Sequence, residues 1–179
     1  MNIVGKRFSP SEFKEYVASL DLPNAPWTGS FVVLHNTGVP TMAQRPNGFD
    51  SQQMQNLATF YDGKGWHAGP HLFIDDNGIW AFSPLTAPGV HSPSWNDVAY
   101  GVEMLGDFTA EEFGGSVRGQ AIRANAVAAI GIICKSVGID SGTLHLHRED
   151  PQTTHRDCPG KNVDKADMIQ RIHDYIAAM

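Results

Sequence analysis

The segment HREDPQTTHRDCPG, at residues 147–160, concentrates side chains that bind metals and has almost no apolar residues. Zinc in proteins is bound by imidazole nitrogen and thiolate sulfur, and a catalytic zinc site has three protein ligands and an open fourth position. His147 and Cys158 in this segment, together with His35 earlier in the chain, supply three such ligands. The residue types therefore predict a zinc site.

Spacing alone leaves the ligand set open. Asp150 or Asp157 is an alternative third ligand, and His145 is an alternative to His147. A single histidine at the end of a strand is more often a hydrogen-bonded structural residue than a ligand. The prediction therefore depends on the three residues together.

Three predicted strands would position these side chains. The apolar run SFVVLHNTG indicates a buried strand with His35 at its exit, and GTLHLHRED indicates a short strand that leads into His147. VAYGVEMLG indicates another strand, with Glu103 inside an apolar run. A buried carboxylate is costly unless it has a function, so Glu103 is a candidate catalytic residue. The alternative is a glutamate that points outward from a half-exposed strand.

Four helices and a hairpin complete the predicted elements. Ser9, Pro10 and Glu12 form the pattern of a helix N-terminus. Apolar residues recur at helical spacing in three further segments: SQQMQNLATFYDGKGW, residues 117–137 and residues 168–176. HLFIDDNGIWAFSP indicates a hairpin that turns at DNG. This order predicts an α/β fold in which helices flank a mixed central β-sheet, with residues 1–179 forming a single domain.

Composition excludes several classes of function. The chain has 179 residues, a formal charge of −6, 41% apolar residues and 18% charged residues. This balance is typical of a globular protein, and the net negative charge gives no reason to expect nucleic-acid binding or adhesion to an anionic membrane. No segment is long enough to span a bilayer, and the first residues do not resemble a secretory signal, so we expect synthesis in the cytoplasm. We expect Cys134 in the core and no disulfide with Cys158.

Four motifs in order resemble the zinc-dependent N-acetylmuramoyl-L-alanine amidases, a family that includes phage endolysins, muropeptide-recycling amidases and peptidoglycan recognition proteins. FVVLHNTG resembles the family's first strand with its ligand histidine, and GPHLFIDDNGIWAF resembles its central hairpin. VAYGVEMLG is similar to the strand that carries a glutamate, and HLHRED followed by CPG is similar to the closing ligand motif. The resemblance spans about residues 28 to 176 and implies the fold of the peptidoglycan recognition proteins.

The resemblance also implies roles for particular residues. It places zinc ligands at His35, His147 and Cys158, and it makes Glu103 the general base toward water that zinc activates. Oxyanion stabilisation falls to Arg156 or His155, because the lysine or threonine that many relatives carry two residues before the third ligand is Arg156 here. We expect the substrate-binding residues to include Asn36, His91 and Trp66. A tyrosine that some phage members carry just before the hairpin histidine is replaced by Pro70.

The function implied is hydrolysis of the amide between N-acetylmuramic acid and the L-alanine of the stem peptide. We expect a monomeric phage or prophage endolysin that reaches the cell wall after synthesis in the cytoplasm, with peptidoglycan or muropeptide as its substrate. One alternative is a cytosolic muropeptide-recycling amidase, which would cleave soluble anhydro-muropeptides. Another is a non-catalytic peptidoglycan-binding module.

Overall fold

A computed structural model, which describes residues 1–179, contains six strands and four α-helices. In chain order these are β1 (Lys6–Phe8), α1 (Pro10–Ser19), β2 (Phe31–Asn36), α2 (Ser51–Gly63), β3 (Leu72–Asp75), β4 (Gly78–Ala81), β5 (Ala99–Met104), α3 (Val117–Val137), β6 (His145–Leu146) and α4 (Lys165–Ala178). The strands form one mixed sheet with helices packed on it, which confirms the predicted fold class.

The strands lie in the order β1-β4-β3-β5-β2-β6. Strands β3, β5, β2 and β6 are parallel to one another, whereas β4 and β1 form an antiparallel edge. The carboxyl ends of parallel strands meet at one edge of the sheet, where α/β proteins place their ligand sites. His35 near the end of β2, Glu103 near the end of β5 and His147 just after β6 all lie at this edge.

Helix termini follow the local sequence signals. Ser9 and Glu12 form a capping box at the start of α1, with Pro10 in the first turn, and α3 has the predicted bounds and ends at Gly138 with φ 83°. The hairpin turns through Asp76 and Asn77, between the register partners Asp75 and Gly78. Strand β1 was not predicted; its three residues are too short to give a periodic signal.

The central strand β5 has β3 and β2 as neighbours on its two edges, and helix α3 packs against it, so side chains on both of its faces are buried except Glu103, which lines the cleft. This explains why Tyr100, Val102, Met104 and Leu105 are all fully buried and no alternation is seen. Helix α3 packs against β3, β4 and β5 and also contacts α1 and α4. None of the helices combines the length and apolar composition needed to cross a bilayer.

Candidate metal centre and cleft

His35, His147 and Cys158 converge at the carboxyl edge of the sheet. One ligand atom from each lies within 4.8 Å of the other two. Both histidines are buried, with exposures of 3% and 5%, and Cys158 is half-buried. The parallel pairing of β6 with β2 brings the histidines together, because Leu34 and Leu146 are register partners and each is followed by one of them.

Hydrogen bonds already occupy one nitrogen of each histidine. Nε2 of His35 lies 3.0 Å from Nδ1 of His91, and Nε2 of His147 lies 2.9 Å from Oγ1 of Thr153. Nδ1 has no hydrogen-bond partner in either ring. Burial lowers the pKa of His147 to about 4 and holds the pKa of His35 well below its usual range. Both imidazoles are therefore neutral near pH 7, as metal ligation requires.

The donor set fits zinc. Two imidazoles and a thiolate are a known ligand combination for catalytic zinc, whose bond lengths place donor atoms about 3.5 Å apart. The observed limit of 4.8 Å therefore requires only small side-chain movements. The main-chain N–H of Asn36 lies 3.4 Å from Sγ of Cys158 and can donate to a thiolate. Without a metal, burial raises the pKa of the Cys158 thiol to about 12, so binding would release a proton.

The alternative ligands allowed by spacing are not part of this cluster. Asp150 is fully buried, and its carboxylate accepts hydrogen bonds from Ser92, Ser94 and the main chain of Gln152. Although burial opposes ionisation, these bonds lower the pKa of Asp150 to about 2. His145 packs against Phe31 and Trp95. Asp157 is exposed and lines the cleft.

The ligand loop, residues 147–160, is held by main-chain and side-chain hydrogen bonds, within itself and to the segment between β4 and β5. The N–H of Arg148 donates to the carbonyl of Cys158 at 2.9 Å, and the guanidinium donates to the carbonyl of Gly160 at 3.0 Å. Asp150 in the same loop binds Ser92 and Ser94 of the segment between β4 and β5. These contacts fold residues 147–160 back so that Cys158 faces the two histidines.

Glu103 is the Cα register partner of His35 on the adjacent strand, so both side chains lie on the same face of the sheet. Its carboxylate lines the cleft and makes no hydrogen bond or ion pair with the protein. Burial raises the pKa of Glu103 to about 8. A divalent cation at the neighbouring ligands would lower this pKa, because a nearby positive charge favours the carboxylate. The Glu103 carboxyl therefore lies on the same face as His35, without a protein partner.

The remaining predicted site residues all line the same cleft, which has a volume of about 790 Å³. His155 and Arg156 are exposed on the ligand loop, and the centroid of the His155 ring lies 5.5 Å from that of His147.

Trp66 stacks on Tyr61, with ring centroids 5.2 Å apart, and forms part of one wall of the cleft. Asn36 donates from its side-chain amide to the carbonyl of Gly106 at 3.0 Å. His91 bonds His35 through one ring nitrogen and lies 3.1 Å from the Ala99 carbonyl through the other.

Tyr61, near the end of α2, was not among the predicted site residues. Its ring packs edge-on against Phe82 and lies over Gly69, where a Cβ would come within 2.7 Å of the ring. Its hydroxyl makes no hydrogen bond with the protein, and Tyr61 lines the cleft together with Glu103. Burial, and then the charge of Glu103, raise the pKa of this hydroxyl, which remains protonated. One feature of the sequence could have indicated this position: Tyr61 lies near the end of α2, just before Lys64 and Trp66, which line the cleft.

Comparison with known proteins identifies one family and several solved structures that have the same fold. The family model described as N-acetylmuramoyl-L-alanine amidase matches residues 24–161. No curated protein matches the sequence.

Three solved structures illustrate the shared fold. The endolysin LysCS from Clostridium intestinale URNW is 23% identical, with a TM-score of 0.65 over 82% of this chain and 85% of that chain. The Ph2119 endolysin from the Thermus scotoductus MAT2119 bacteriophage is 21% identical, with a TM-score of 0.60 over 80% and 84%. A point mutant of Drosophila PGRP-LB in complex with tracheal cytotoxin is 21% identical, with a TM-score of 0.61 over 87% of this chain and 89% of that chain.

Proposed function

The chain belongs to the N-acetylmuramoyl-L-alanine amidase family, and from this premise we propose that it is a zinc-dependent peptidoglycan hydrolase of the endolysin type. The bond cleaved is the amide between the lactyl group of N-acetylmuramic acid and the L-alanine of the stem peptide. The observation that supports zinc dependence is the cluster of His35, His147 and Cys158 beside the unpartnered carboxylate of Glu103. A non-catalytic binding module would need neither the three ligands nor this carboxylate.

His35, His147 and Cys158 would hold the zinc ion. When bound, zinc would supply Lewis-acid chemistry that polarises the scissile carbonyl and lowers the pKa of water toward about 7. Glu103 accepts a proton from the attacking water and passes it to the departing amine nitrogen of L-alanine. General acid–base catalysis of this kind contributes about 10²- to 10⁴-fold to the rate.

Donors on the ligand loop stabilise the negative charge that develops on the carbonyl oxygen. Arg156 and His155 are both exposed on the cleft side of this loop, and either side chain can donate a hydrogen bond to that oxygen. The arginine also carries a permanent positive charge. Asn36 and Trp66, on two sides of the cleft, are proposed to contact the substrate.

We infer that residues 1–179 act as one catalytic domain. A single hydrophobic core includes residues from Phe8 in β1 to Ile172 in α4. The sheet likewise runs without interruption from β1 to β6. The cleft and the terminal elements β1 and α4 therefore belong to one domain.

The test is incubation of the zinc-loaded protein with purified peptidoglycan sacculi, followed by mass analysis of the released material. We expect stem peptides that begin with L-alanine, and we expect none after treatment with a chelator. The Glu103→Gln variant is the matched control, because it keeps the shape of the side chain and removes the base. It should retain zinc and lose release by about 10²-fold or more.

Two results would change the proposal. If the protein spares sacculi but cleaves soluble anhydro-muropeptides, it is a recycling amidase rather than an endolysin. If neither substrate is cleaved although zinc is bound, the assignment as a peptidoglycan hydrolase is wrong. Undiminished release in the presence of the chelator would reject zinc dependence.

A further inference from the structure

We propose that His91 is a positioning residue that fixes the orientation and tautomer of the ligand His35. The inference rests on the metal site proposed above, but it concerns a different property: which nitrogen of His35 is left for the metal. Sequence analysis predicted His91 as a substrate contact. The hydrogen bonds around its ring support the positioning role instead.

The Ala99 carbonyl determines the proton position in His91. A carbonyl oxygen can only accept, so Nε2 of His91, 3.1 Å from this oxygen, must carry a hydrogen. In the neutral ring, Nδ1 then has no hydrogen and is an acceptor. Nε2 of His35, 3.0 Å from this Nδ1, must therefore be the donor. The hydrogen on Nε2 leaves Nδ1 of His35 with the lone pair that can bind a metal.

The His91 ring is itself held in place. Its main-chain N–H donates to Oδ1 of Asn96 at 2.7 Å, and the next residue, Ser92, donates from its N–H to the same oxygen at 2.8 Å. The ring lies against Gly101 of β5, where a Cβ would come within 2.4 Å of Cγ of His91. A glycine at this position is required for the ring to reach His35.

Both ring nitrogens of His91 are used within the protein, so neither is left to bond a substrate. Outer hydrogen bonds of this kind orient ligand histidines, and their loss typically weakens metal affinity by about 10- to 100-fold. A substrate-binding residue would instead affect KM and leave metal affinity unchanged. A positioning role therefore predicts a change in zinc affinity, whereas a substrate-binding role predicts a change in KM alone.

The experiment compares His91→Leu with His91→Asn. The two new side chains have nearly the same shape, but only asparagine places an acceptor oxygen near the position of Nδ1. Zinc affinity is measured by competition with a chromophoric chelator. The tautomer of His35 is measured in the metal-free protein by long-range ¹H–¹⁵N NMR.

We expect His35 to carry its hydrogen on Nε2 in the wild-type protein and in His91→Asn, and to populate both tautomers in His91→Leu. The zinc dissociation constant should rise about 10- to 100-fold in His91→Leu and only a few-fold in His91→Asn. His173→Leu, on the exposed face of α4, should change neither quantity, and Cys158→Ser should lose most zinc binding.

Equal zinc affinity in the leucine and asparagine variants, with His35 in one unchanged tautomer, would overturn the proposal. If His91→Leu does not fold, as judged by circular dichroism, His91→Gln replaces it, because glutamine extends past the Nδ1 position. The NMR measurement uses no metal and no cell wall. It therefore tests His91 even if the wild-type protein fails to bind zinc or to cleave peptidoglycan.

Discussion

At the scale of single residues, the cleft contains two polar groups that the protein leaves without partners, the carboxyl of Glu103 and the hydroxyl of Tyr61. Groups of this kind cost stability when they are partly buried, and they are often found where a substrate completes their hydrogen bonds. The two groups differ at neutral pH. Because its pKa is raised, the Tyr61 hydroxyl stays protonated and can donate a hydrogen bond throughout the neutral pH range. Glu103, with a pKa of about 8, can instead bind and release a proton in this range.

Tyr61→Phe tests whether this hydroxyl contributes to catalysis. We expect kcat to fall by about 10- to 100-fold, because removing one donor to a developing charge has effects of this size or larger. Zinc content and thermal stability should not change, since the ring still packs on Trp66 and Phe82. The measurement is single-turnover cleavage of a soluble muropeptide. Tyr16→Phe in α1 is the matched control, and equal rates in the two variants would limit Tyr61 to packing.

At the scale of elements, the sequence predicts regular structure better than the loops between the elements. The capping box at Ser9 and the terminal Gly138 are local signals, and the structure has the helix ends that they indicate. The resemblance to the amidases implied that His35, His147 and Cys158 would meet, and the structure brings them together. The sequence did not indicate that His91 would reach His35, because that contact depends on how the loop before β5 crosses Gly101.

Asp150 joins the two loops on which the site depends, and its replacement should loosen both. Asp150→Ala would leave the buried hydroxyl of Ser92 and the N–H of Ser94 without their acceptor, so we expect a loss of about 2–4 kcal/mol in the free energy of unfolding. Urea unfolding of the chelator-treated protein measures this loss. The control is Asp140→Ala, an exposed residue that accepts from the N–H of Gly142. An equal, small effect in both variants would show that Asp150 does not fasten the loops.

At the scale of the whole molecule, the packing of the sheet buries histidines that are not at the carboxyl edge. His71 is one of them, because it immediately precedes β3, lies outside the His35, His147 and Cys158 cluster and is fully buried. Its Nε2 lies 3.0 Å from the Ala87 carbonyl, and its Nδ1 accepts from the N–H of Gly101. A neutral ring satisfies both contacts, whereas a charged ring would lose the second. The fold therefore stabilises the neutral form of this histidine.

This preference predicts how stability depends on pH. Burial lowers the pKa of His71 from 6.5 to about 4, so between these values the unfolded chain binds a proton that the folded chain does not. The contribution of His71 is present above pH 6.5 and is lost as the pH falls toward 4, which removes about 2 kcal/mol of stability between pH 7 and pH 5. Glu103, with its raised pKa, acts in the opposite direction, and the effect of His71 must therefore be isolated by substitution.

The isolating substitution is His71→Asn, which keeps one acceptor and one donor but does not titrate. In the presence of a chelator, we expect it to be less stable than the wild type at pH 7, because the shorter side chain fills the site poorly. Between pH 7 and pH 5, however, it should lose about 2 kcal/mol less than the wild type. Urea unfolding at the two pH values measures both quantities. Parallel losses in the two proteins would show that His71 is not held neutral, because a residue without a shifted pKa contributes nothing to the slope.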